Sequence, residues 1–474
     1  MSGTAPARAA PPVDHARIPL AQLAWPILVE NVLRTSLMSV DTLMLARYSA
    51  EAVAAMSLVN QFAFLVQLLF MVVSVGASVH VAQNLGAGRR STAEVFAAAS
   101  LALVVVFATV ISAAMALGAP ALVRAYGLAP GVASGATSFL VIYGGLSIFT
   151  AINIVQASIL RSFGHARDPM VVNAASLGLA VAGNALCLFG PEDFPVRGVP
   201  GVAWSTVLSQ VAACLASAWA LRRRGIHLPL RGLREVPARV YRAILAVGVP
   251  TAGEYVSYNL SQGAILAMLS TMGTDALAAY GIAMAVLRYV FIPGVSIGAA
   301  AQLRVGYLVG AGRHDDAARR VLVYFAWGFA ISAVLAGAVY LARAPLIAVF
   351  TGDPAVAGLV AAVLLVAVVH EPGRDFNTII IPALKGAGDV KFPVYAGLVS
   401  MWGISVAGAW FLGLRMGLGI TGVWLAMAAD EWLRGLAMVW RWRSGVWRRF
   451  KLLTPEEELG AVAGNAQVAT EEGL

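Results

Sequence analysis

The run LMSVDTLMLA sets one carboxylate, Asp41, among apolar neighbours, and Pro26, Glu30 and Arg34 precede it at steps of 4, 4 and 7 residues. At 100° per residue these four side chains share one helical stripe, expected to face the interior of a helix bundle. Glu30 and Arg34 are spaced i,i+4 with the acid first, the better arrangement for an ion pair within the helix, so a structural pair and a functional role are both open to them. Asp41 has no such partner: Arg34 lies about 10 Å away along the axis at 1.5 Å per residue, and Arg47 is at the far helix end. The chemistry open to a carboxylate placed so is binding of a proton or a cation. Pro26 lacks an amide hydrogen and crowds the carbonyl four residues back, so it is a candidate hinge.

A second cluster lies in VVHEPGRDFNTIIIPALKG, where His370, Glu371, Arg374, Asp375 and Asn377 surround Pro372 and Gly373. Proline and glycine in mid-helix release backbone groups, and broken helices line binding cavities in transporters, so Pro372 and Gly373 are hinge candidates. Glu371 and Arg374, at i,i+3, can also form a structural ion pair. A third group, Asp430, Glu431 and Arg434, reads as an ion-pair network near a helix end. Asn153, Arg34, Glu254, Glu371, Arg374, Asp375 and Asn377 make up the candidate cavity residues.

The elements that must position these groups are membrane helices. Of the 474 residues 59% are hydrophobic and 12% charged, with mean hydropathy +0.79, against roughly 25% charged in an average soluble domain. Lipid offers no partner for a bare backbone, so apolar runs able to cross about 30 Å of hydrocarbon should be helical. Twelve are expected, near 18–46, 52–84, 92–118, 131–160, 170–190, 199–221, 240–271, 276–308, 317–342, 355–384, 392–414 and 418–442. One alternating set of loops, with both tails, is rich in arginine, including seven between Arg222 and Arg242; the other set holds only Arg47, Arg124, Arg197, Arg343 and Arg415. Positive loops stay inside, so both termini are expected in the cytoplasm and the chain in the cytoplasmic (inner) membrane. The net charge of +9 is explained by this topology, and no nucleic-acid partner is expected.

The chain also matches itself at an offset of 224 residues. WPILVEN (25–31) pairs with VPTAGEY (249–255), AEAVAAMSL (50–58) with TDALAAYGI (274–282), LGAGRR (85–90) with VGAGRH (309–314), and ILRSFGHARDP (159–169) with ALKGAGDVKFP (383–393); Asn153 falls on Asn377. The expected fold is therefore all-α and polytopic, with two six-helix bundles related by a parallel repeat about the membrane normal. Its expected divisions are a tail at 1–17, a bundle at 18–221, an arginine-rich linker at 222–242, a second bundle at 243–443 and a tail at 444–474. Asp41 falls on Ile265, so this acid is not explained by the shared scaffold.

Other chemistries lack their residues. The only lysines, Lys385, Lys391 and Lys451, are not preceded by glycine, so there is no phosphate-binding GxxxxGK loop. Cys187 and Cys214 offer no disulfide framework. The six histidines are scattered without metal-ligand spacing. No cofactor, no metal and no enzymatic activity are expected. The glycines of LGAG and VGAG are expected to end helices.

The sequence LAWPILVENVLRTSLMSVDTLMLA, followed by AVAAMSLVNQ, LGAGRR, ILRSFGHARDP and their second-half echoes, resembles the multidrug and toxic compound extrusion family over about residues 18–443. The resemblance implies alternating access and efflux of amphipathic, often cationic compounds, by antiport against protons or sodium ions. It matches the family's first-helix acid to Asp41, its seventh-helix acid to Glu254, and its tenth-helix acid to Glu371 or Asp375. Where one branch of the family reads N-x-x-x-D in the fifth helix, this chain has Ala180 and Asn184, which removes a carboxylate. Asp41, Glu30 and Asn184 are the expected ion-coupling residues of a monomer in the lipid bilayer. The alternatives are a flippase of lipid-linked precursors and an intramembrane enzyme.

Overall fold

A computed structural model describes residues 15–191, 196–229, 236–450 and 452, the side chains of 37–39 excepted. Most of both expected tails and the middle of the 222–242 linker lie outside the described residues. Twelve long helices follow one another: α1 (Leu20–Tyr48), α2 (Ala50–Gly86), α3 (Arg90–Ala125), α4 (Pro130–Gly144, bent by 49° into Ile148–Ser162), α5 (Arg167–Phe189), α6 (Gly198–Arg223), α7 (Ala238–Ser270), α8 (Thr274–Gly310), α9 (His314–Leu341), α10 (Pro354–Ala387), α11 (Lys391–Arg415) and α12 (Gly419–Arg443). A short helix, Arg343–Phe350, joins α9 to α10.

Among the described residues eight of the twelve are long and apolar enough to cross a membrane, and the bent α4 makes nine. The other three, α1, α7 and α12, are 29, 33 and 25 residues long but are interrupted by the ionisable residues singled out above. Even the shortest spans about 37 Å at 1.5 Å per residue, more than the hydrocarbon thickness. Helix α3 runs seven residues past its expected end at 118. Pro120 does not stop it, and Arg124 Nε donates to the Pro120 carbonyl (3.1 Å) near its terminus. Gly88 (φ +76°) and Gly312 (φ +73°) follow α2 and α8 in the left-handed region, as expected for helix-ending glycines.

The repeat is visible in three dimensions. Gln83 Nε2 donates to the Gly386 carbonyl (2.9 Å), and Tyr307 Oη, 224 residues beyond Gln83, donates to the carbonyl of Ser162 (2.5 Å), 224 residues before Gly386. Gln302 Nε2 donates to the hydroxyl of its own counterpart, Ser78 (2.9 Å). Helices α2 and α8 cross so closely that a Cβ on Gly86 would overlap the Tyr307 carbonyl, and one on Gly310 the Gln83 carbonyl. Arg304, 3% exposed, donates to the Ala16 carbonyl (2.6 Å) and so pins the turn His15–Arg17 beneath the second bundle.

All these contacts lie toward the end that carries the termini. There one apolar core joins Phe70, Phe96 and Ile159 of the first bundle to Ile244, Leu303 and Tyr307 of the second. Toward the opposite end the cores separate, with Val59, Leu140 and Val202 in one bundle and Ile265, Val360 and Trp424 in the other. The molecule is thus sealed at its terminal end and divided at the other.

Candidate functional site

Helix α1 packs along α5 and, across the bundle boundary, along α8, where Asn31 Nδ2 donates to Ser296 Oγ (3.2 Å). Two acids of α1 meet two amides of α5. Asn173 Nδ2 donates to Glu30 (2.8 Å), and Asn184 Nδ2 donates to Asp41 (3.2 Å). Both pairs are eleven residues apart on their helices, about 16 Å at 1.5 Å per residue, so α1 and α5 run side by side in register.

Glu30 also takes an ion pair from Arg161 of α4 (3.0 Å). The alternative of a Glu30–Arg34 pair is not realised, because Arg161 and Asn173 occupy the carboxylate and Arg34 is exposed. The shared stripe therefore holds for Pro26, Glu30 and Asp41 but gives Arg34 a different environment. Asn153 extends the Glu30 network inward: it donates to Asn173 (3.2 Å) and Gln210 (3.5 Å) and accepts from Ser217 (2.9 Å), tying α4 to α5 and α6. Asp41 stands apart. It is half-buried, Asn184 is its hydrogen-bond partner, and no cation lies within ion-pair distance among the described residues.

The second bundle repeats one of these devices. Lys385 Nζ pairs with Glu254 (2.6 Å), the counterparts of Arg161 and Glu30 at the same offset. Lys385 is buried and lies 5.8 Å from the Tyr255 ring. Arg161 and Lys385 both escaped notice in the sequence, where they count as loop charges, although the matched stretches 159–169 and 383–393 align them. Truncating Arg161 to Ala should leave Glu30 with Asn173 alone and cost about 1–3 kcal/mol, less than the roughly 3–5 of a fully buried pair because both groups are partly exposed. Thermal unfolding in detergent checks this, and Lys385→Ala should cost at least as much because its pair is more buried.

Helix α10 is not broken at Pro372–Gly373. It continues as α-helix to Asp375, then widens into a π-helical stretch, Phe376–Ile380, before returning to α-helix. Trp432 of α12 fills the space above Gly373, where a Cβ would overlap the indole nitrogen, and donates to the Val369 carbonyl (2.9 Å) in the turn loosened by Pro372. Around this irregularity Glu371 pairs with Arg374 (3.1 Å) and with His370 Nδ1 (3.1 Å), while Arg374 stacks on Phe291 at 3.9 Å. Asp375 accepts from Thr378 (3.1 Å) and packs against Gly294 of α8.

Asp430, Glu431 and Arg434 are not at a helix end. They sit midway along α12, buried in the bundle, with Arg434 bridging Glu431 (2.9 Å) and Asp430 (3.2 Å). Asn377 donates to Glu431 (2.6 Å) and Ser400 donates to Asp430, and a small pocket brings Asp430 and Glu431 together with His370, Arg374, Tyr258 and Trp424. Spacing of i,i+3 and i,i+4 reads alike at a helix end and in its middle, so depth was not legible from it. In this cluster of α10 and α12 the buried carboxylates of Glu371, Asp375, Asp430 and Glu431 accompany two guanidinium groups, Arg374 and Arg434.

No group of three or more His, Cys, Asp or Glu able to hold a metal occurs among the described residues. What the arrangement can do is hold charge in a membrane interior: one carboxylate without a cation in the first bundle, and an acid-rich network in the second.

Comparison with known proteins agrees with this geometry. The MatE family signature matches residues 26–186 and again 250–411, two copies beginning 224 residues apart. An uncharacterized transporter of Bacillus subtilis, YisQ, is 34% identical over 90% of this chain and 94% of its own. The probable multidrug resistance protein NorM of Thermotoga maritima is 27% identical over 94% and 97%. A crystal structure described as MATE in the bent conformation shares the fold, with a TM-score of 0.84, 19% identity and coverage of 96% of this chain and 98% of that one. With twelve helices in two repeated bundles, and the family signature present once in each, the chain belongs to the MatE family of multidrug and toxic compound extrusion transporters.

Proposed function

We propose that the protein exports amphipathic, cationic small molecules across the cytoplasmic membrane by antiport, with protonation of Asp41 as the coupling event. The observation that carries this reading is the pairing of Asp41 with Asn184: a half-buried carboxylate whose partner is a neutral amide. An asparagine can donate to a carboxylate or, after turning its amide, accept from a carboxylic acid, so it accommodates both protonation states. Asn184 Oδ1 is buried without a partner and is free for the second role. A sodium ion would want several oxygen ligands, and among the described residues this pair offers the Asp41 carboxylate and the Asn184 amide oxygen, so a proton is the better fit.

Division of the cores at one end and closure at the other supports alternating access between two bundles. In this reading, with both termini in the cytoplasm, the joined core lies on the cytoplasmic side and the separate cores on the outward side. Excess carboxylates in the second bundle favour a positively charged cargo. Glu30, Glu254 and their cations are structural braces in this reading, and Pro26 is the hinge by which α1 responds to Asp41.

One observation favours phosphate-bearing cargo, as in a lipid-precursor flippase: Arg34 and Arg288 are exposed in the middle of α1 and α8, with no carboxylate in ion-pair reach among the described residues. The buried carboxylates Glu371, Asp375, Asp430 and Glu431 of the second bundle outnumber them. Purified protein in proteoliposomes, given a fluorescent lipophilic cation, should move it against an imposed pH gradient and not against a sodium gradient alone. Transport driven by sodium at uniform pH would overturn proton coupling, and translocation of a lipid-linked headgroup without cation movement would favour the flippase.

A further inference from the structure

Outside the bundle interior, the terminal ends of α1, α5 and α6 form a second feature, distinct from the Asp41 site. Arg224 makes a bidentate ion pair with Asp168 (2.6 and 2.7 Å), which clips the end of α6 to the start of α5. Arg167 and Arg223 flank this clip without carboxylate partners among the described residues, each over an indole: Arg167 lies 5.2 Å from Trp25 and Arg223 5.1 Å from Trp219. A cavity of about 560 Å³ opens beside Trp25 and His165, and one of about 420 Å³ runs between α5 and α6; Asp168 and Arg224 line both.

The second cavity is an apolar slot. Val172, Ala175 and Leu179 of α5 face Ala212 and Ala216 of α6, and Ser176 Oγ donating to the Ser209 carbonyl (2.9 Å) holds the two helices together. From Asp168 to Leu179 the slot extends about 16 Å along the helix at 1.5 Å per residue. Burial first, and Arg224 second, hold the His165 imidazole below its ordinary value, so at neutral pH the positive charge of the patch is that of arginine alone. Basic pockets between membrane helices are suited to lipid headgroups, and aromatic side chains prefer the same interface.

We propose that this surface is a binding site for an anionic phospholipid, with the phosphate on Arg167 and Arg223 and one acyl chain in the slot between α5 and α6. The charge of the head and the apolar slot beneath it ask for both parts of such a molecule. The bound lipid rests on α5, the helix that presents Asn173 and Asn184 to α1, so occupancy should stiffen the partner of Asp41.

Native mass spectrometry of the full chain in detergent, with phosphatidylglycerol or phosphatidylcholine of the same acyl chains added, tests this. The wild type should retain one phosphatidylglycerol in preference to phosphatidylcholine. Arg167→Gln with Arg223→Gln should weaken that retention at least about tenfold, in line with roughly 1 kcal/mol per surface arginine. Ala216→Phe, which fills the slot and leaves the arginines in place, should weaken it similarly, and carries the test alone if the double variant fails to elute as the wild type does. Equal retention of both lipids, retention unchanged in the variants, or full displacement by inorganic phosphate would overturn the proposal, the last by showing an anion site without an acyl slot.

Discussion

Replacing Asp41 with Asn is expected to abolish uphill export while leaving the protein folded. Asparagine keeps the shape of the side chain and can still hydrogen-bond Asn184, which now donates to Asp41 at 3.2 Å, but it cannot bind or release a proton at any physiological pH. The loss should be complete rather than graded, because a coupling step that never occurs is not rescued by a steeper gradient. In everted membrane vesicles energised by respiration, cation accumulation should fall to the level of vesicles lacking the protein. Asn184→Ala should be milder. It removes the amide and leaves a titratable acid, so export should persist with a displaced pH profile.

The second large effect concerns closure at the terminal end. Gly310→Val places a branched side chain where even a Cβ would overlap the Gln83 carbonyl on the crossing helix. Overpacking of this kind costs about 1–3 kcal/mol. Because the clash exists only when α2 and α8 meet, the cost falls on the closed arrangement, and about 2 kcal/mol moves a two-state population roughly thirtyfold. Labelling of a cysteine placed at Ser78, buried beside Gln302 on the line between the bundles, by an impermeant maleimide reports the opening; Cys187 and Cys214 are first replaced by Ser. Labelling should rise at least about tenfold in Gly310→Val. Tyr307→Phe removes a single reciprocal hydrogen bond, worth about 1 kcal/mol, and should raise it by less.

How much of this the sequence revealed depends on the kind of signal. The 224-residue offset carried the architecture, because duplicated segments keep both spacing and polarity, and it reappears in the contacts of Gln83 with Gly386 and of Tyr307 with Ser162. Asp41 and Asn184 were legible as an acid and a missing acid in apolar helices, and they meet. Partners were not legible. Helical periodicity placed Glu30 and Arg34 on one stripe, yet the cation that binds Glu30 comes from α4, at a sequence distance no local pattern reports. Arg161 and Lys385 were hidden by standing near span ends, where arginine and lysine ordinarily mark topology. The network of Asp430, Glu431 and Arg434 was misjudged in depth, since its spacing does not depend on where along α12 it falls. At Pro372 a break was expected, but the freed geometry was absorbed by the π-helical stretch and by Trp432, a residue 60 positions away.

Proton movement through Asp41 is measured most directly by loading proteoliposomes with a pH-sensitive dye and imposing a gradient of the lipophilic cation alone. Wild-type protein should drive proton flux opposite to the cation and dependent on it. Asp41→Asn should show none. Cation-dependent proton flux of wild-type size in Asp41→Asn would contradict the assignment of Asp41 as the coupling site.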